Sequence, residues 1–344
     1  MKLSGVCIWG LWLALSTLAR ADAADTPLTR FEATRVQMGV PFKVLLYARN
    51  ENAANAAFDA AFAEVERLNR ILSDYDPDSE LSRLSRAAPT TAPVPLSEPL
   101  WTVLFRGQQL ARETSGAFDV TVGPYVRLWR RARRNKEMPS QERLDEARAA
   151  VGYQFLQLDE AHRTARLSLA NMRLDLGGIA MGYAVDEVLK LLRARGMTRV
   201  LVDASGDIGA GDPPPGKQGW VVGVMPLSDE GTPGRYVSLA NAAVTTSGDA
   251  FQHVVIGDKR YSHIVDPHTG LGLTDQVGVA IIAPDCMTAD ALDTAVAVLG
   301  PHAGLDLVAK TPGTSAFIVR PTDGEPEVFE SPAFKNFVVP PPNR

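Results

Sequence analysis

The sequence predicts an α+β fold: a single large mixed domain with largely antiparallel sheets and several long helices. Three observations point that way. Paired apolar-alternating runs at 31–38 with 41–48, and at 154–159 with 164–169, read as hairpins. Between such pairs lie stretches with helical apolar spacing, the longest from 52 to 73. The regular strand–helix–strand alternation of a doubly wound α/β protein is missing.

At the amino terminus, Lys2 precedes the apolar run Val6-Cys-Ile-Trp-Gly-Leu-Trp-Leu-Ala-Leu15, and Ala21-Asp-Ala23 offers a small-residue cleavage site. This pattern predicts a secretory signal peptide over 1–23, with 24–344 as the mature domain. No twin arginine precedes the run, and Cys7 lies near its start rather than after it. The expectation is a soluble periplasmic protein without a lipid anchor. Cleavage would leave Cys286 as the sole cysteine, with no intramolecular disulfide and a packing role. A composition of 45% apolar and 22% charged residues is ordinary for a globular protein, and the net charge of −5 argues against a general nucleic-acid binder.

Taken in order, the hairpin turns at Gly39-Val40. The long helix then places Ala54, Ala57, Phe58, Ala61, Phe62, Val65, Leu68 and Leu72 on one face. Ser73-Asp-Tyr-Asp-Pro-Asp-Ser-Glu-Leu81 reads as a polar loop carrying one aromatic ring, and four prolines make 87–99 an irregular connector. A helix over 100–114 stops at Ser115-Gly116, and 117–125 reads as a short strand broken by Gly-Pro. Six cations then fall within 127–136, which reads as a solvated helix face, with an acidic-partner or anionic-membrane patch as the alternative.

The centre of the chain is Leu174-Asp-Leu-Gly-Gly-Ile-Ala-Met-Gly-Tyr-Ala-Val-Asp186. It reads as strand 172–176, a Gly-Gly crossing and a helix over 183–192, a form in which backbone N–H groups approach a charged ligand. Gly182 stands where a dinucleotide fingerprint would not place it, so a Rossmann reading is rejected. Later elements are a strand at 199–203, a glycine-rich turn at 204–212, strands at 220–225, 236–239 and 277–283, and a helix at 288–299 capped by Gly300.

Two stretches are dense in chemistry. His263 lies on a strand-like run before the turn Asp266-Pro-His-Thr-Gly270; with Ser262, Asp266 and Thr269 nearby it is a general-base candidate, against a structural histidine. Asp290 and Thr294, four apart, share one helix face. Carboxylate and hydroxyl oxygens suit magnesium and suit zinc poorly, although an acid at a helix start also has a purely electrostatic role.

In combination, seven stretches resemble the ApbE family of FAD:protein FMN transferases, in order over nearly the whole mature chain. They are Met38-Gly39, the 73–81 loop, Gly116-Ala-Phe-Asp-Val-Thr-Val-Gly-Pro124, Asp175-Leu-Gly-Gly-Ile-Ala180, Thr246-Ser-Gly-Asp249, His263-Ile-Val-Asp-Pro267 with Thr269-Gly270, and Ala289-Asp-Ala-Leu292 with Thr294. The resemblance implies an ApbE-like fold and cleavage of FAD at its pyrophosphate. FMN would pass to a threonine or serine hydroxyl of a target flavoprotein, exported or membrane-associated, with AMP released. By matching position it implies FAD contacts from Met38, Tyr75, Ala117, Phe118, Asp119 and Asp175, with Tyr75 near the flavin or adenine ring, and a backbone contact from Ile264. It implies magnesium held by the Gly178 carbonyl, Asp290 and Thr294, with Asp293 as a further candidate ligand, and His263 as the base.

Three positions depart from the family pattern. Met181 stands where lysine or another polar residue is common, Phe251 where tyrosine is usual, and Trp129-Arg-Arg-Ala132 replaces Trp-Gly-Phe-Gly. Two other readings fit the same residues: an FAD pyrophosphatase giving FMN and AMP, or an FAD-binding carrier without turnover.

Overall fold

Alternation over the first hairpin is realised in the computed structural model, which describes residues 27–224, 234–248, 253–322 and 324–342. The predicted signal peptide, the strand end at Met225, Asp249 and Phe251 lie outside the described residues. Strands β1 (Thr29–Gln37) and β2 (Val40–Ala48) pair antiparallel. Helix α1 (Glu51–Leu72) follows, its start capped by the Asn50 side chain accepting from Ala53 N at 2.9 Å. All eight apolar residues predicted for its inner face are buried.

Next come α2 (Glu80–Arg86), the short β3 (Val94–Pro95), α3 (Glu98–Glu113), α4 (Gly123–Asn135) and α5 (Gln141–Arg148). The second predicted hairpin forms as β4 (Leu156–Asp159) and β5 (Thr164–Leu167). Then follow α6 (Ala180–Ala194), β6 (Val200–Ala204), β7 (Asp207–Ala210), β8 (Trp220–Val224), β9 (Arg235–Leu239), β10 (Ala242–Gly248), β11 (His253–Ile256) and β12 (Lys259–Ser262). The chain continues through β13 (Gly278–Ala283), α7 (Cys286–Leu299), α8 (Pro301–Lys310), β14 (Ser315–Arg320), β15 (Glu327–Glu330) and β16 (Val338–Val339).

Eight strands form one sheet in the order β1-β2-β6-β7-β10-β13-β14-β15, and each neighbouring pair is antiparallel. The α+β expectation therefore holds. Helices α1, α6 and α7 cover one face, and the small sheet β16-β9-β8 covers the other. Strand alternation explains both layers. Val279, Ile281 and Ala283 of β13 enter the helical core, while Ala280 and Ile282 enter the core beneath the small sheet. A third cluster joins α4 and α5 to the β11–β12 hairpin through Tyr125, Trp129, Leu144, Val254 and Tyr261.

Four local expectations need correction. Residues 117–125 form no strand: Asp119 Oδ1 accepts from Thr121 N at 2.7 Å, a local turn that competes with ladder pairing. Pro124 then opens α4, where its missing N–H costs nothing. Residues 172–176 form no strand either, because Leu174 N donates to Ser85 Oγ (3.0 Å) and Asp175 N to the Val120 carbonyl (2.8 Å). The turn expected over 204–212 contains strand β7, since the reversal is completed at Ser205 and Gly206, both at positive φ. Finally, the end of the 73–81 loop is helical: Ser79 caps α2 by accepting from Ser82 N at 2.9 Å.

Candidate functional site

The 73–79 loop is shaped by its serines. Ser73 Oγ accepts from Tyr75 N (3.2 Å) and Asp76 N (3.1 Å), and the fully buried Ser79 donates its hydroxyl to the Ser73 carbonyl. The loop so fixed lifts Tyr75 into solvent, with 74% of its surface exposed. Beneath that ring lies Arg130 of α4, its guanidinium carbon 4.0 Å from the ring centroid. Arg130 also pairs with Asp74 and, through Nη2, with Asp175 Oδ2 at 3.0 Å. Burial works against the Arg130 charge, but Asp74 and Asp175 more than compensate and raise its pKa.

Asp175 completes the group, its Oδ1 accepting from Gly177 N at 2.9 Å. Burial, reinforced by Asp74, lifts its pKa from 3.8 to about 6 even though Arg130 opposes the shift. Two residues further on, Gly178 packs against α7 so closely that a Cβ there would lie 2.5 Å from Thr294 Oγ1. Only glycine admits this approach, which brings backbone and hydroxyl oxygen together.

Helix α6 is set on α7 by two contacts. Gly182 meets the Cys286 carbonyl where any Cβ would collide, and both oxygens of Asp186 accept from the N–H groups of Cys286 and Met287 at 2.8 Å. Cys286 is buried with a free thiol, in agreement with a packing role.

This docking places Asp290 so that its Oδ2 accepts from Gly182 N at 2.9 Å. Asp293, one position before Thr294, is also buried; Thr245 Oγ1 reaches its Oδ2 at 3.4 Å, and its Oδ1 has no hydrogen-bond partner. Burial and then Asp207 of β7 raise the pKa of both Asp290 and Asp293 well above the carboxylate range. Asp207 itself is lifted to about 7 by burial and Asp203. Acids buried side by side, one with an unpaired oxygen, are groups whose charged forms a cation would stabilise. Among the described residues, no three His, Cys, Asp or Glu side chains form a metal-holding group by themselves. A cation here would therefore draw on the Gly178 carbonyl and Thr294 hydroxyl beside the acids, a hard-oxygen set that fits magnesium.

His263 is half-buried on the bend just after β12. The neighbours that drew attention to it spend their polar groups on the turn: Ser262 Oγ accepts from Ile264 N (3.1 Å), and Asp266 takes the Thr269 hydroxyl (3.0 Å) and His268 N (2.9 Å). The turn is anchored from α4, where Trp129 Nε1 donates to the Gly270 carbonyl at 2.8 Å and the Trp129 ring packs on Tyr261. Adjacent residues of α4 thus hold two parts of the site, Trp129 the histidine turn and Arg130 the tyrosine loop.

The remaining expected ligand contacts are quieter. Met38 sits at positive φ on the β1–β2 turn, and Met38, Met181 and Ile264 are half-buried against the main core. Ile264 O already accepts from Leu273 N at 2.9 Å. Ala117 and Phe118 are buried. Asp119 accepts from Thr121 N and Tyr153 N (2.9 Å), and burial raises its pKa despite those bonds. Sequence reasoning missed Arg130, Trp129, Asp186 and Asp207. For Arg130 the one available signal was its neighbour: a tryptophan amid arginines marks a helix with a buried side, so some of those arginines must border the core.

The ApbE family model matches residues 38–318. The chain is 31% identical over 344 residues to the FAD:protein FMN transferase of Salmonella typhimurium, covering 97% of each chain. It is 30% identical over 338 residues to that of Klebsiella pneumoniae, covering 94% of each. The flavin transferase ApbE from Vibrio cholerae superposes with a TM-score of 0.80 at 28% identity, over 90% of this chain and all of that one. The apbe protein from Thermotoga maritima does so with a TM-score of 0.79 at 30% identity, over 90% and 99%.

Proposed function

The chain belongs to the ApbE family, and on that premise we propose that it is a magnesium-dependent FAD:protein FMN transferase acting on a threonine or serine hydroxyl of an exported or membrane-associated target flavoprotein. The observation that carries this reading is the segment Asp175-Leu-Gly-Gly178. One end is tied to an arginine-backed aromatic ring and the other touches the acidic, cation-seeking group. The ends are three residues apart and the chain turns at 177–179, so the ring platform and the acidic group lie side by side, within reach of one ligand.

In the proposed reaction the acceptor oxygen forms a bond to the FMN phosphorus while the bond from that phosphorus to the AMP-side bridging oxygen breaks. AMP leaves with that oxygen, and the hydroxyl proton passes to the imidazole of His263. Bound magnesium would neutralise charge on the pyrophosphate oxygens. Tyr75, backed by Arg130, offers a face for ring stacking, and Asp290, Thr294 and the Gly178 carbonyl offer the metal its oxygens, with Asp293 beside them. Trp129 fixes the turn that carries His263. The hydrophobic amino terminus with its Ala21-Asp-Ala23 site supports export to the periplasm. Among the described residues no helix is long and apolar enough to cross a membrane.

The test is incubation of purified protein with FAD, magnesium and a candidate target. A target mass increased by one FMN, with AMP released, is the expected result. Free FMN and AMP with an unmodified target would make the protein a pyrophosphatase, and unchanged FAD would make it a carrier.

A further inference from the structure

Helix α4 carries an outward face that the flavin chemistry does not use. At 100° per residue, Arg127, Arg131 and Arg134 form one exposed stripe along it. Arg130 lies to one side of the stripe, in the flavin site. On the other side lies a groove of about 340 Å³, with Leu128, Ala132, Met138 and Pro139 as its apolar lining, Arg131 and Arg143 as cations and Glu137 as its one acid.

Elsewhere on the surface arginines find carboxylates, as in Arg30–Glu32, Arg35–Asp59, Arg67–Glu64, Arg70–Glu66 and Arg320–Glu327. None of Arg127, Arg131, Arg134 or Arg143 forms an ion pair among the described residues. The positive region extends beyond α4: burial and then Arg127 and Arg86 lower the pKa of Arg173, so two further guanidinium groups, those of Arg86 and Arg173, join Arg127 there. On a chain of net charge −5 this is a local reversal of sign.

We propose that the arginine stripe and groove of α4 dock an acidic peptide segment of the acceptor protein, next to the site where its hydroxyl must arrive. The proposal rests on the transferase reading above. Arginine forks match carboxylates two bonds at a time, and a groove with an apolar lining takes a peptide side chain better than a flat lipid surface. Because the stripe shares a helix with Arg130, a segment held there is held beside the flavin platform. Opposite charge chiefly raises the rate of encounter and fixes orientation, so the contribution belongs in KM and in salt dependence.

The test uses the triple variant R127E/R131E/R134E, whose sites are exposed and outside the flavin machinery, with R127K/R131K/R134K as the charge-preserving control. A fluorescein-labelled decaglutamate peptide should bind the wild type at low salt and the lysine variant nearly as well. Charge reversal should weaken binding at least about tenfold, and KM for the acceptor should rise by a similar factor with FAD affinity unchanged. Equal peptide binding by wild type and the glutamate variant, or no binding at low salt, overturns the proposal. So does capture of phosphatidylglycerol vesicles by the stripe with no peptide binding, which would mark a lipid surface. If stripe-dependent peptide binding persists in a protein that neither binds FAD nor modifies a target, the docking surface stands and the transferase reading fails. If transfer proceeds with wild-type KM in the glutamate variant, the transferase reading stands and the docking surface fails.

Discussion

The two halves of the site are built on opposite electrostatic plans. Around Tyr75 each charge has its partner: Arg130 answers Asp74 and Asp175, and Asp175 gives its other oxygen to Gly177 N. Around α7 the reverse holds, with burial and then Asp207 raising the pKa values of Asp290 and Asp293, and Asp293 Oδ1 left unpaired. The first half is organised before ligand arrives; the second, in the proposed reading, is completed by a cation. Substitutions in the two halves should therefore fail differently, in ring binding on one side and in metal-dependent chemistry on the other.

The largest effect is expected in the acidic half. Asp290→Ala should abolish FMN transfer, because the Gly178 carbonyl and Thr294 hydroxyl cannot hold magnesium against its hydration by themselves. Near-normal magnesium-dependent turnover in that variant would erase the contrast between the halves. His263→Ala should slow single-turnover transfer by about 10²–10⁴ while FAD affinity and the melting temperature stay near wild type. A lowered melting temperature with normal transfer would make His263 a packing residue.

In the paired half, Arg130→Ala should weaken FAD binding about 10- to 100-fold, the loss expected for charge-assisted bonds and a cation–π contact, with magnesium dependence retained. Removing the cation should also move the Asp175 pKa upward from about 6, since the charged form loses its partner. A pH titration of FAD affinity should show the inflection shifted to higher pH; an unmoved inflection would exclude Asp175 from binding. A smaller gain is expected at the entry to α6: Met181→Lys should tighten FAD binding, and weaker binding would show that methionine fits a tailored pocket.

The smallest effect concerns the joint between α6 and α7. Asp186 is raised from 3.8 to about 7 by burial, against the pull of its two N–H donors. The folded state therefore holds this proton more tightly than the unfolded state does. The contribution is fully present below about pH 4 and is lost as pH rises to about 7, at no more than about 1.4 kcal/mol per pH unit. Denaturation at pH 5 and pH 7.5 should show wild type losing stability across that interval and Asp186→Asn losing less.

What the sequence made legible follows from the range of each interaction. The α1 face and the Asp290–Thr294 pair depend on helical period, and both appear as read. Arg130 is different: its partners lie 56 and 45 residues away, and within 127–136 nothing local separates it from arginines that face solvent. Asp207 looked like part of a glycine-rich turn because the reversal at Ser205 and Gly206 leaves room for only a short strand. The 117–125 stretch alternates like a strand, yet Asp119 captures nearby N–H groups and Pro124 starts a helix. Local pattern carried the elements and the family motifs, while the charge pairing that distinguishes the two halves came only with tertiary structure.

The most direct test of that difference needs no target protein. Thermal unfolding near pH 8 is compared for wild type and Asp290→Asn, each in chelator and in excess magnesium without FAD. Magnesium should stabilise the wild type by about 2–3 kcal/mol at a hundredfold excess over its dissociation constant. Asp290→Asn should show no such gain, and should be the more stable of the two in chelator because one of the crowded acids is gone. A wild type indifferent to magnesium, or an equal rise in both proteins, would contradict a cation-completed acidic half.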